Sequence, residues 1–108
     1  MERRLHELTD ADERFFPELV SAQRELLPEF YWRPDNMVRI RQDELGRPRV
    51  LIVLALVDGR IAGFIQANYI YVAEVCFLNL DFLAVLPEFR KHGCALDLLR
   101  DMRRRASG

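Results

Sequence analysis

The hexapeptide Arg90-Lys91-His92-Gly93-Cys94-Ala95 stands between an apolar run and an amphipathic stretch. Three features suit it to holding an anion. A helix N-terminus presents unpaired N–H groups and the positive end of its dipole. Gly93 allows close backbone approach, and the small Ala95 keeps the first turn uncrowded. Arg90, Lys91 and His92 bring positive charge to the same place. Taken alone, the hexapeptide reads more readily as a helix entry that has a permissive glycine and solvated basic residues.

The elements that must position this loop follow from periodicity. Arg3 to Leu8 suits a short first strand. Thr9 offers a hydroxyl cap, and Asp10, Asp12 and Glu13 favour a helix start. Phe15, Phe16, Leu19, Val20, Leu26 and Leu27 form an apolar stripe at helical spacing. Pro17 fits near the first turn and Pro28 near the end. Asp35 or Asn36 is positioned to cap a second short helix through Gln42. From Val50 the pattern changes: VLIVLALV reads as a buried strand, Asp58-Gly59 as a two-residue hairpin, and Ile61 to Tyr71 as the returning strand.

Val75 to Leu86 alternates, with Cys76, Leu78, Leu80, Phe82, Ala84 and Leu86 apolar and Asn79 and Asp81 opposite. That predicts one face on a core and one partly open. After Pro87 the period becomes helical, with Ala95, Leu98, Leu99 and Met102 on one stripe. The predicted order is β-α-α-β-β-β-α, an α+β (α/β layered) domain.

The chain has 108 residues, 50% hydrophobic and 31% charged, which fits a single globular domain over residues 1–108. A net charge of -1 gives no general attraction to nucleic acid or anionic membrane. The longest apolar run, Val50 to Val57, is too short to span a bilayer, and the N-terminus has no signal-peptide core. Cys76 and Cys94 make neither a disulfide framework nor a metal cluster, so the expected compartment is a reducing cytoplasm and no metal is expected.

The segment LAVLPEFRKHGCALDLLRDM resembles the cofactor-binding segment of the GNAT superfamily of N-acetyltransferases. The matching parts are Leu83-Ala84-Val85 at a strand end, the Pro87-Glu88-Phe89 turn, and Arg90-x-x-Gly93-x-Ala95 opening a helix. Upstream, VDGRIAGFI is similar to the family's second hairpin. The resemblance implies a mixed, mainly antiparallel sheet with helices on both faces and direct acetyl transfer from acetyl-CoA to a primary amine. It places the pyrophosphate on the backbone amides of Lys91, His92, Gly93, Cys94, Ala95 and Leu96, beside Arg90. It pairs the pantetheine arm with Leu83, Ala84 and Val85, where a backbone N–H also polarises the acetyl carbonyl.

Acetyl transfer needs a group to take the ammonium proton. Asp81, four residues before Val85, is the candidate base, Glu74 is an alternative, and a solvated or hydrogen-bonded strand carboxylate is the competing role for Asp81. Tyr31 and Trp32 either line the acceptor site or pack. His6 is expected to decorate the first strand without an acidic partner, and Cys76 to lie in the core. Cys94, at a helix start, is positioned for a lowered pKa, although its backbone amide matters more than its thiol. Arg100, Arg103, Arg104 and Arg105 suit a solvated helix end or, alternatively, the CoA 3'-phosphate.

The family's fifth strand and later elements have no counterpart in the sequence as it stands, so a C-terminally incomplete acetyltransferase is expected. Two alternatives are a homodimer that completes the sheet, and a reduced, non-catalytic CoA-binding or protein-interaction module. The expected partners are acetyl-CoA and an unidentified amine acceptor, with neither nucleic acid nor membrane.

Overall fold

A computed structural model of the chain describes residues 2–9, 12–27 and 45–107. The features expected at Asp10, Pro28, Tyr31, Trp32 and from Asp35 to Gln42 lie outside these residues. The described elements are β1 (Arg3–Glu7), α1 (Phe16–Leu26), β2 (Val50–Val57), β3 (Arg60–Val72), β4 (Val75–Val85) and α2 (Cys94–Ser107). The four strands form one sheet in the order β1-β2-β3-β4, and all three pairings are antiparallel.

The β2–β3 hairpin turns at Asp58 (φ 50°) and Gly59 (φ 81°), two successive positive φ values that suit the twist of the flanking strands. β2 is buried on both faces because a helix covers each side of the sheet. Ile52, Leu54 and Phe64 pack with Phe16 and Leu19 of α1 on one face. On the other face Val53, Ala55, Ile65 and Ala67 pack with Cys94 and Leu98 of α2. Each such large apolar side chain, once buried, contributes roughly 1.5–3 kcal/mol.

The start of α1 differs from the expected Thr9 cap. Thr9 donates both its N–H and its hydroxyl to Asp12 Oδ2, at 2.7 and 2.9 Å, so Asp12 is the acceptor that organises this turn. A 3-10 turn over Glu13–Phe15 follows, and α1 begins at Phe16 with Pro17 in its first turn, where a missing N–H costs nothing.

β4 departs from the expected alternation. Gln66 pairs with Phe82 and Ala67 with Leu80, which leaves Asp81 as the extra residue of a β-bulge. The bulge exchanges the faces: Leu78 before it and Leu83 and Val85 after it join the α2-side core, whereas Phe82 and Ala84 join the α1 side. Cys76, expected in the core, is exposed. The reason is length: β2 begins opposite Asn68, so β3 and β4 continue beyond it as a two-stranded ribbon that neither helix covers.

Candidate functional site

The outer edge of β4 is unpaired among the described residues. Leu86 donates its N–H to the Ala62 carbonyl at 2.8 Å. Antiparallel alternation therefore turns the main-chain groups of Ala84 toward β3 and those of Leu83 and Val85 toward the free edge. Val85 uses its carbonyl there, accepting from Arg90 Nε at 3.2 Å. A groove of about 470 Å³ runs along this edge, with Leu26 and Leu27 at the end of α1 on one bank and Arg90 and Ala95 on the other. A smaller hollow of about 260 Å³, lined by Val85, Phe89, Lys91, Gly93 and Leu96 among others, adjoins it at the shared Val85, Arg90 and Ala95. Of the three strand residues singled out from sequence, Leu83 and Val85 thus offer backbone to the groove and Ala84 lines it with its side chain.

The loop beyond the groove is built on two positive φ angles, Lys91 at 71° and Gly93 at 82°. At a non-glycine such as Lys91 this conformation costs of the order of 1 kcal/mol. The first helical hydrogen bond is Asp97 N–H to Gly93 O, at 3.0 Å. The N–H groups of Cys94, Ala95 and Leu96 therefore precede any intrahelical acceptor and are directed out of the helix end. Successive N–H groups around a left-handed residue make a concavity suited to an anion. Arg3 of β1 holds the loop from behind: its Nη1 donates to the His92 carbonyl, and its Nε lies 3.7 Å from Asp97 Oδ2.

Asp81 sits at the bulge, half-buried, on the α1 side of the sheet. Its two carboxylate oxygens accept from different amides: Oδ2 from Asn68 Nδ2, and Oδ1 from Asn79 Nδ2 at 3.1 Å. Asn68 and Asn79 are themselves register partners. Gln66, two residues before Asn68 on the same face, is buried and accepts from Gln23 of α1 at 3.4 Å. A carboxylate carries about four lone-pair sites, so two amides orient it without filling it. Glu74, the alternative, is exposed in the β3–β4 turn, away from this cluster.

Two further expectations change. His6 does have an acidic neighbour, since its Nε2 lies 3.0 Å from Asp12 Oδ2. That pair serves the α1 start, with the ring 5.6 Å from Phe15, and is at the opposite edge of the sheet from β4. Burial pushes the Cys94 thiol above its ordinary pKa, the opposite of the expected direction; the Arg3 charge opposes this and Asp97 adds to it. No group of three or more metal-ligating side chains occurs among the described residues, and no described helix is long and apolar enough to cross a membrane.

Sequence reasoning missed Arg3, Asn68, Leu26 and Leu27 as parts of these surfaces, whereas the alternation places Asn79 with Asp81 on the open face. Asn68 had a discernible signal, a polar residue interrupting the apolar β3 pattern two positions after Gln66.

Known structures share this fold. An aminoglycoside acetyltransferase from an uncultured soil metagenomic sample superposes with a TM-score of 0.79 at 18% identity, over 99% of this chain and 73% of that one. A ribosomal-protein-alanine N-acetyltransferase from Brucella melitensis biovar Abortus 2308 superposes with a TM-score of 0.75 at 20% identity, over 99% and 73%. An aminoglycoside N-acetyltransferase solved in complex with CoA gives 0.70 at 20% identity, over 98% and 70%. No curated protein matches the sequence. The model of the acetyltransferase (GNAT) family matches residues 5–107, from β1 through the groove, the bulge and the loop to the end of α2. With nearly the whole length matched and the fold shared, the chain belongs to the GNAT family of acetyltransferases.

Proposed function

We propose that residues 1–108 act as one acetyl-CoA-binding domain that transfers the acetyl group directly to a primary amine. The free β4 edge carries the proposal, because its outward Leu83 and Val85 groups lead straight into the loop of exposed helix-start amides. A long ligand with amides at one end and phosphates at the other matches both halves of that path. The N–H groups of Leu83 and Val85 receive the pantetheine amides and polarise the acetyl carbonyl. The amides from Lys91 to Leu96, beside Arg90, hold the pyrophosphate. Bound acetyl-CoA supplies a thioester carbonyl open to attack by a neutral amine.

Asp81 holds the incoming ammonium and takes its proton, and Asn68 and Asn79 fix the carboxylate for that task. The solved relatives with CoA and aminoglycoside acceptors support the ligand class without choosing the acceptor here. Cys76 and Cys94 are both free thiols, in keeping with a reducing cytoplasm.

The test is calorimetric titration with CoA, followed by detection of free thiol released from acetyl-CoA. Two acceptors would be offered, an aminoglycoside and an alanine-terminated peptide. Saturable CoA binding and amine-dependent thiol release are expected. Absence of CoA binding by the folded protein would end the proposal. Binding without release from either amine would favour a CoA-binding module.

A further inference from the structure

The other free edge of the sheet carries a separate feature. β1 is the terminal strand on that side among the described residues. Asp58 donates its N–H to the Glu2 carbonyl and Leu8 donates to Ile52, so the even-numbered residues of β1 face β2. The main-chain groups of Arg3, Leu5 and Glu7 therefore point outward, along an edge that no described strand covers.

α2 runs alongside this edge. Arg3 lies 3.7 Å from Asp97 near the start of both elements, and Glu7 lies 2.7 Å from Arg105 near their ends. Four strand steps span about 13 Å and eight helical steps about 12 Å, so strand and helix keep pace. Between them is a channel of about 830 Å³, lined by Arg3, Arg4, Leu5, Arg100, Arg103 and Arg104, with Asp97. Four of the chain's 16 basic residues, Arg3, Arg100, Arg103 and Arg104, therefore bring their side chains to one place on a protein of net charge -1, while Arg4, on the alternate face of β1, also lines a hollow beside Arg14 and Glu18 of the α1 side. Asp97, the one carboxylate that lines the channel, is already engaged by Arg3, and Arg104 also donates to Asp101 at 2.8 Å, which leaves it further donors for a ligand. Arg100 makes no ion pair with a described residue. On α2, Arg100, Arg103 and Arg104 recur at three- and four-residue spacing, which puts them on one flank.

We propose that this channel docks an extended acidic peptide segment, which adds as a strand to the free edge of β1 and sets alternate carboxylates against Arg100, Arg103 and Arg104. An unpaired strand edge supplies main-chain hydrogen bonds to any extended peptide, and the neighbouring side chains select among peptides. Here the selection is for negative charge. A nucleic acid would satisfy the arginines but would leave the row of peptide N–H and C=O groups unused.

The test is fluorescence anisotropy with a labelled peptide of about eight residues alternating Glu and Val. Saturable binding is expected, together with a roughly ten-fold or greater loss for Arg100→Glu/Arg103→Glu. Both positions are exposed on α2, and circular dichroism confirms that the variant is folded. The same peptide N-methylated at alternate residues keeps every charge but cannot pair as a strand, and it should bind far more weakly. This arm needs no protein variant. Equal binding of the methylated peptide, of a Lys-Val counterpart, or of neither acidic form would overturn the proposal. So would tighter binding of a single-stranded oligonucleotide, or displacement of the peptide by saturating CoA.

Discussion

Gly63 of β3 faces the Ala84 carbonyl of β4 so closely that a β-carbon at Gly63 would lie 2.6 Å from that oxygen. Neither partner is a flexible side chain, so the two strands must separate to admit a methyl group. The register partner of Gly63 is Val85, which lines the groove. Gly63→Ala should cost about 1–3 kcal/mol in a denaturant titration, by the usual penalty for overpacking. It should also weaken CoA binding measured by calorimetry, because Val85 moves with its strand. Unchanged values for both would mean that the β3–β4 spacing is not set by this contact.

Arg3 joins the first strand to a loop almost ninety residues later in the chain, through the His92 carbonyl and Asp97. Removing it frees the loop from behind without touching the groove. Arg3→Ala should raise the CoA dissociation constant about three- to ten-fold, the effect of losing roughly 1 kcal/mol of charge-assisted hydrogen bonding at a partly exposed site. Helix content by circular dichroism should stay at the wild-type level. A variant that binds CoA as tightly as wild type would show that the loop holds its shape unaided.

How much of this was legible beforehand depended on whether the pattern had contrast. Val50–Val57 and the Asp58-Gly59 turn were readable because an all-apolar run met a turn dipeptide with nothing ambiguous between them. The loop from Arg90 to Ala95 was readable because glycine and positive charge interrupt two apolar elements. The bulge at Asp81 was hidden for the opposite reason. Phe77, Leu78, Leu80, Phe82 and Leu83 are apolar on both faces, so a one-residue change of register leaves no break in the pattern. Thr9 and Asp12 are both competent caps, and only the fold decides which one accepts. The Arg3–His92 contact depends on the path of the whole sheet, which local spacing does not encode.

The two cysteines should differ sharply toward thiol reagents. Cys76 is exposed on the β3–β4 ribbon, whereas Cys94 is buried and its thiol is pushed above the ordinary pKa. Near neutral pH, Ellman's reagent should modify one thiol per chain quickly, and Cys76→Ser should remove that fast phase. Cys94 should react at a rate governed by opening of the structure, so added denaturant should accelerate it. A fast phase that survives in Cys76→Ser would place a reactive thiol at Cys94 after all.

Acid should attack the start of α1. Burial acts to raise the Asp12 carboxyl, but the Thr9 N–H, His6 and the Thr9 hydroxyl outweigh it, and the group titrates below its ordinary value. A depressed folded pKa contributes stability that is fully present above the unfolded value near ~4 and is lost as pH falls through the folded value. The urea midpoint of the wild type should therefore drop between about pH 5 and pH 2. Asp12→Asn should start lower at neutral pH and fall less over that range. Parallel pH profiles for the two proteins would remove Asp12 from the acid sensitivity.

The amide-held carboxylate at the bulge is where the proposed chemistry meets a single substitution. Asp81→Asn keeps the size of the side chain and replaces an acceptor oxygen by a donor facing Asn68 or Asn79. If Asp81 takes the proton of the incoming ammonium, turnover with an accepted amine should fall roughly 10²–10⁴-fold, while calorimetric CoA affinity stays unchanged. Raising the pH should partly restore the variant, because more of the amine then arrives already neutral. Asn68→Ala separates holding from reacting: it loosens the carboxylate but leaves the base in place, so its turnover should lie between wild type and Asp81→Asn. Full activity in Asp81→Asn would reduce the carboxylate to a structural partner of the two asparagines and move the proton transfer to water.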